Sequence, residues 1–115
     1  MNYCEKVDIE KLKGFIEKET GLQVEYIKLR NGGLYVNVFS SEKNINKRYS
    51  FEDFTVIPLD EEFDKKSNQL LNGFKLIWNK FLAETFGEEY KKAYHNYYFK
   101  NVDIDILKKD DEQER

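Results

Sequence analysis

Leu22-Gln23-Val24-Glu25-Tyr26-Ile27-Lys28-Leu29-Arg30-Asn31-Gly32-Gly33-Leu34-Tyr35-Val36-Asn37-Val38-Phe39 is the stretch that decides the fold. In its second half Leu34, Val36 and Val38 alternate with Tyr35, Asn37 and Phe39. That period of two sends successive side chains to opposite faces of a strand. In its first half Leu22, Val24 and Tyr26 alternate with Gln23, Glu25 and Ile27, which predicts a strand from Leu22 to Arg30. Asn31-Gly32-Gly33 lies between them, and Asn and Gly accept the positive φ of a tight hairpin turn. An antiparallel hairpin is marginal alone in water and needs a third strand and a covered face. The flanking sequence offers both.

Downstream, a polar loop from Ser40 to Asn46 leads to a third strand from about Lys47 to Ile57, carried by Tyr49, Phe51 and Phe54-Thr55-Val56-Ile57. Glu52-Asp53 marks a bulge there, or a break into two strands. Pro58 ends the segment. Upstream, Ile9, Leu12, Phe15 and Ile16 share one helical face between Asp8, a suitable N-cap, and Gly21, a suitable C-cap. Past Pro58, Asp60, Glu61 and Glu62 suit a helix N-terminus. Leu70/Leu71, Phe74, Ile77/Trp78 and Phe81/Leu82 then follow the helical period. Gly87 reads as a C-cap and Glu88-Glu89 as the start of another helix, so the two helices fold back or bend sharply at Gly87. Val102, Ile104 and Ile106 alternate with Asp103 and Asp105, a pattern that suits an additional strand. The expected fold is therefore a small single α+β domain over 1–107. It has an N-terminal helix, a three-stranded antiparallel sheet with a possible fourth C-terminal strand, and two C-terminal helices packed on the sheet. Residues 108–115 form a frayed polar tail.

Composition narrows the function classes. A chain of 115 residues fits one domain. The net charge of −3, with 36% charged residues, argues against a protein built to grip duplex phosphate. Of the 19 basic residues only Arg30, Arg48 and Arg115 are arginine, the better bidentate reader of phosphate and bases. No apolar run approaches the ~20 residues of a membrane span. The first residues lack the apolar core of a signal peptide, and the single Cys4 cannot form an internal disulfide. The expectation is a cytoplasmic protein with no membrane association. Lys, Asn and Ile together number 34, a hint of AT-rich coding as in low-GC bacteria and their phages.

No catalytic or cofactor motif emerges. One His and one Cys cannot write a zinc pattern. Asp103 and Asp105 at i, i+2 would point the same way on a strand, a geometry open to Mg²⁺ or Ca²⁺, but a solvated strand face accounts for them more simply. His95 shares no clean helical face with Tyr94 or Tyr90, and no orienting partner is visible. Gly32-Gly33 lacks the spacing of a phosphate cradle. The expectation is a protein that is not an enzyme, with no cofactor and no metal.

The working surface is sought among the aromatics. Nine of the 18 fall between Phe74 and Phe99. Phe74, Trp78 and Phe81 read as core. Tyr90, Tyr94, Tyr97 and Tyr98 cannot all point inward from one helix, and tyrosine suits a surface both wet and adhesive. They are the interface candidates, together with the acidic Glu88, Glu89, Asp103 and Asp105, which could occupy a nucleic-acid site on a partner. Lys43, Lys47 and Arg48 form a secondary basic patch. These features predict a small acidic protein-binding module, phage or mobile-element encoded, monomeric or homodimeric. The alternative is a nucleic-acid or nucleotide binder that stacks bases on the tyrosines amid Lys91, Lys92 and Lys100. The element order, the acidity and the segment Phe74-Lys75-Leu76-Ile77-Trp78-Asn79 resemble those of small phage-encoded inhibitors, among them some type II anti-CRISPR proteins. That resemblance implies a module that inhibits or modulates a host protein, for example a nucleic-acid-handling defence effector, and assigns no functional residue.

Overall fold

The structure, a computed structural model, describes residues 2–60 and 64–102, the last three of them as backbone alone. A short 3₁₀ turn, Cys4–Lys6, precedes α1 (Ile9–Thr20). Then come β1 (Gln23–Arg30), β2 (Gly33–Ser40), β3 (Ile45–Phe51) and β4 (Val56–Pro58), followed by α2 (Lys65–Phe86) and α3 (Glu88–Val102). The strands form one antiparallel sheet in the order β1-β2-β3-β4. The α+β expectation holds, and of the two readings of Glu52-Asp53 the break is the one found: it divides the Lys47–Ile57 segment into β3 and β4. Glu52-Asp53-Phe54-Thr55 closes a tight turn through Glu52 N–H to the Thr55 carbonyl at 2.9 Å. The C-terminal strand expected over 102–106 lies outside the described residues except for Val102, which ends α3. The tail 108–115 lies outside them too.

Turn chemistry fixes the first hairpin. Arg30 pairs with Gly33, so only Asn31 and Gly32 lie between the strands, at φ 52° and 80°. Two consecutive positive φ values define the turn whose twist matches flanking strands. A Cβ at Gly33 would meet the Glu52 carboxylate, which would have to swing aside.

The first strand departs from simple alternation. A bulge between Val24 and Tyr26 shifts the register, so that Tyr26 faces Asn37 and Ile27 faces Val36. The extra residue, Glu25, moves Tyr26 to the outer face and returns Ile27 to the side of Val24. Sequence periodicity groups Tyr26 with Leu22 and Val24; the bulge overrides that grouping.

Val24, Leu34, Val36, Val38, Tyr49, Phe51 and Val56 make the buried inner face of the sheet. α1 covers one end of it through Leu12 and Ile16. Asp8 accepts the Glu10 and Lys11 N–H groups at its N-terminus, and Gly21 caps the other end at φ 71°. α2 covers the rest. Phe74 lies 4.8 Å from Tyr49 and 6.0 Å from Phe51, Trp78 lies 5.2 Å from Phe51, and Phe81 stacks on Trp78. The Trp78 indole N–H donates to the Glu52 carbonyl, tying the helix to the β3–β4 turn. The start of α2 differs from the sequence expectation. Its N-cap is Asp64, which accepts the Ser67 N–H at 2.7 Å. Asp60 stands before the helix and is taken up by Arg48.

Candidate interaction surface

Gly87 sets the direction of α3. Its φ of 66° and ψ of −137° lie where only glycine is comfortable, and its N–H closes α2 on the Ala83 carbonyl. α3 therefore leaves α2 at a fixed bend and packs on α2, Tyr3 and the β3–β4 turn.

Phe54, at the tip of that turn, is the hub. Its ring stacks on Tyr97 at 4.7 Å and Tyr90 at 6.1 Å and meets Tyr94 edge-on at 6.2 Å. Tyr3 adds contacts to Tyr90 at 5.4 Å, Phe86 at 4.9 Å and Phe54 at 6.0 Å. Neither Phe54 nor Tyr3 stands out in the sequence. The available signal was an apolar Phe54 stranded among Glu52, Asp53 and Thr55 in a segment that had to break.

The four tyrosines divide along the helix. Tyr90 is buried, and its hydroxyl donates to Asn79 Oδ1 at 2.6 Å. It belongs to the core, and as an interface candidate it is corrected: at the root of α3 the helix face is closed by Tyr3, Phe54 and α2. Burial pushes its phenol well above the usual tyrosine range. Tyr94 is half-buried, and burial followed by its hydrogen bond with Tyr98 pushes its phenol up to about 12. Its ring lies 4.6 Å from Tyr98. Tyr97, Tyr98 and Phe99 are 38%, 42% and 43% exposed; Phe54 still packs on one side of Tyr97, and Tyr98 and Phe99 lie beyond it. Phe99 packs on His95 at 4.2 Å with the rings tilted, extending the aromatic surface round the helix.

The charged candidates fall elsewhere. Glu88 and Glu89 are exposed in the first turn of α3. Glu88 makes a loose i, i+3 pair with Lys91 at 3.6 Å, and Glu89 contributes, after burial, to raising the Tyr3 phenol. Asp103 and Asp105 lie outside the described residues. Lys91 and Lys92 border a shallow depression of about 390 Å³ with Glu88, His95 and Asn96, while Tyr90, Tyr94 and Tyr97 turn toward Phe54. The lysine and tyrosine rows thus face different directions.

The secondary basic patch is not brought together as one surface. Arg48 donates from Nε and Nη2 to Asp60 Oδ1 at 3.2 and 2.7 Å, and its backbone N–H donates to Oδ2. Those hydrogen bonds hold the Asp60 carboxyl below the usual range. Lys47 points to the inner side and donates to Ser67 Oγ at 3.1 Å. Both residues line a cleft of about 220 Å³ between β3 and the start of α2. Lys43 is exposed in the β2–β3 turn, close to Gly21.

No protein-family model, curated protein or solved structure matches this chain. Among the described residues no three His, Cys, Asp or Glu side chains gather as a metal site would require, and no helix is long and apolar enough to cross a membrane. The Cys4 thiol donates to the Phe51 carbonyl at 3.0 Å, and burial pushes it up to about 12, far from a reactive thiolate.

Proposed function

We propose that this protein is a small binding module that attaches to another protein through the distal half of α3. One observation carries the reading: Tyr98 and Phe99, with Tyr97 beside them at the edge of Phe54, are 38–43% exposed on a helix whose root is locked in the core. Contiguous aromatic surface on a rigid element is what interface anchors are made of. The helix is held by Phe54 and Gly87 before any partner arrives, so little ordering entropy is spent on binding. The exposed Glu88 and Glu89 on the same helix suit a partner with a basic rim. A site built to engage nucleic acid has such a rim. The net charge of −3 and the small size fit an inhibitor or modulator of a host protein, of phage or mobile-element origin, working in the cytoplasm. The buried, protonated Cys4 suits a reducing compartment.

The test is affinity capture from nuclease-treated lysate with wild type and with Tyr98→Ala plus Phe99→Ala. A protein retained by wild type and lost by the double variant, with both equally stable, is the expected result. Equal capture by the two would remove α3 as the binding surface. Capture of nucleic acid alone from a parallel lysate left without nuclease would favour the alternative reading.

A further inference from the structure

β1 is an edge strand, and its two faces and its open side agree on one kind of partner. Among the described residues it pairs with β2 alone. Because Arg30 and Gly33 flank a two-residue turn, they form a hydrogen-bonded pair, and Lys28 and Tyr26 follow in the same phase. Ile27 and Leu29 therefore direct their backbone N–H and C=O groups away from β2. Neither group has a partner among the described residues. Nearer the start of the strand the corresponding group is already closed: the Val24 N–H donates to Glu17 Oε2 at 3.0 Å. The open ladder is thus confined to 27–29 and its immediate neighbours, beyond the bulge.

The side chains around this ladder are unfinished in two ways. On the inner face Ile27 is half-buried and Leu29 is 47% exposed, so the apolar layer runs past the cover that α1 and α2 provide. On the outer face stand Lys28 and Arg30, both exposed and neither in an ion pair among the described residues. Their present contacts are with rings on the same face: Lys28 Nζ lies 4.8 Å from the Tyr26 centroid and the Arg30 guanidinium 6.0 Å from that of Tyr35. Cations on an edge normally keep strands apart. Here they repel a second β1 and leave a strand of opposite charge as the matching one.

We propose that β1 is a second docking site, which accepts an extended segment of a partner protein whose residues alternate between apolar and acidic. Backbone groups of that segment would complete the ladder on Ile27 and Leu29. Its apolar side chains would cover Leu29 and Ile27 on the inner face. Its carboxylates would meet Lys28 and Arg30 on the outer face. This is strand addition, in which backbone bonds give affinity and alternate side chains give selectivity. It uses no residue of the α3 surface.

The test uses the full chain and two fluorescein-labelled peptides, an acidic one (Ile-Asp-Val-Asp-Ile-Asp) and its basic counterpart (Ile-Lys-Val-Lys-Ile-Lys), followed by fluorescence anisotropy. The acidic peptide should bind at least tenfold more tightly, and less tightly as salt rises. Lys28→Glu plus Arg30→Glu should invert that preference. Amide hydrogen exchange by NMR should show Ile27 and Leu29 becoming protected when the acidic peptide binds, a readout independent of whether the charge variant folds. Tyr98→Ala plus Phe99→Ala should bind the peptide like wild type, so failure of the α3 reading and failure of this one are separable. Equal affinity for both peptides, no binding at millimolar concentration, or protection that appears on α3 would overturn the proposal. So would protection of Ile27 and Leu29 without peptide, from a concentration-dependent dimer or, independent of concentration, from the chain's own alternating segment Val102-Asp103-Ile104-Asp105-Ile106.

Discussion

α2 and α3 meet at one glycine and are both rich in aromatics, yet they treat them oppositely. α2 turns Phe74, Trp78 and Phe81 to the sheet and leaves Lys75, Leu76 and Lys80 outside. α3 buries Tyr90, half-buries Tyr94 and leaves Tyr97, Tyr98 and Phe99 in water. The cause is what each helix faces. α2 lies along a sheet wide enough to receive every inward side chain. α3 faces one turn tip, whose Phe54, with Tyr3 beside it, reaches Tyr90, Tyr94 and one side of Tyr97. The same residue class is therefore structure on one helix and available surface on the other.

The sharpest way to break that contrast is at Trp78. Truncation to Ala removes the ring packed on Phe51 and Phe81 and the hydrogen bond to the Glu52 carbonyl. The expected loss is about 3–5 kcal/mol of stability. An unchanged denaturant midpoint would show that α2 is not the core helix.

Alkaline titration tests where the core stops. Tyr49 sits under α2, and burial, with the Asp60 charge second, pushes its phenol from 10.0 to about 12. A buried phenol that stays protonated contributes its full stability below the unfolded value of 10.0 and loses it as pH rises toward 12. Over two pH units one such group is worth on the order of 2 kcal/mol. Tyr94, also pushed to about 12, adds to the same window. Stability measured by urea melts should be flat from pH 8 to 9.5 and fall steeply above about pH 10. A curve that stays flat to pH 12 would mean that the root of α3 and the tyrosine under α2 are both open to water.

The joint itself gives the next effect. Gly73 inside α2 and Gly87 at the bend both have empty space where a Cβ would go. Space therefore does not separate them; backbone does. Gly73→Ala should stabilise by roughly 0.5–1 kcal/mol through helix propensity. Gly87→Ala should destabilise by about 1–3 kcal/mol, because φ 66° with ψ −137° strains any L side chain. Opposite signs in thermal melts are the expected outcome. Equal signs would mean that α3 does not hold its bend.

How far these regions could be read from sequence follows from how local their causes are. Asp8, Gly21, Asn31-Gly32 and the Phe74/Trp78/Phe81 row are legible because a cap, a turn or a helical face is written within a few residues. The bulge at Glu25 is not. Tyr26 and Ile27 are both acceptable strand residues, and only pairing with Asn37 and Val36 decides their faces. Asp60 has the same history: a helix-start acid by position, an Arg48 partner because β3 brings that arginine alongside. In the candidate surface, sequence reasoning found the tyrosines but not their order of burial. That order is set by Phe54 and Tyr3, which arrive from 36 and 87 residues away from Tyr90.

The smallest expected effect carries the most information about function. If Tyr98 and Phe99 belonged to the core, replacing both with Ala would cost several kcal/mol, as at Trp78. Their exposure of 42% and 43% and their position beyond Phe54 predict otherwise. Among the described residues Tyr98 loses its ring contacts with Tyr94 and Tyr97 and its hydrogen bond with Tyr94, and Phe99 its tilted contact with His95. The double variant should therefore unfold within about 1 kcal/mol of wild type, since surface changes are each usually within ±0.5. A drop of the size expected at Trp78 would place both rings in the core and leave α3 without a surface to offer. A near-silent melt leaves two large rings whose retention folding does not explain, and binding is then the cause that remains to be measured.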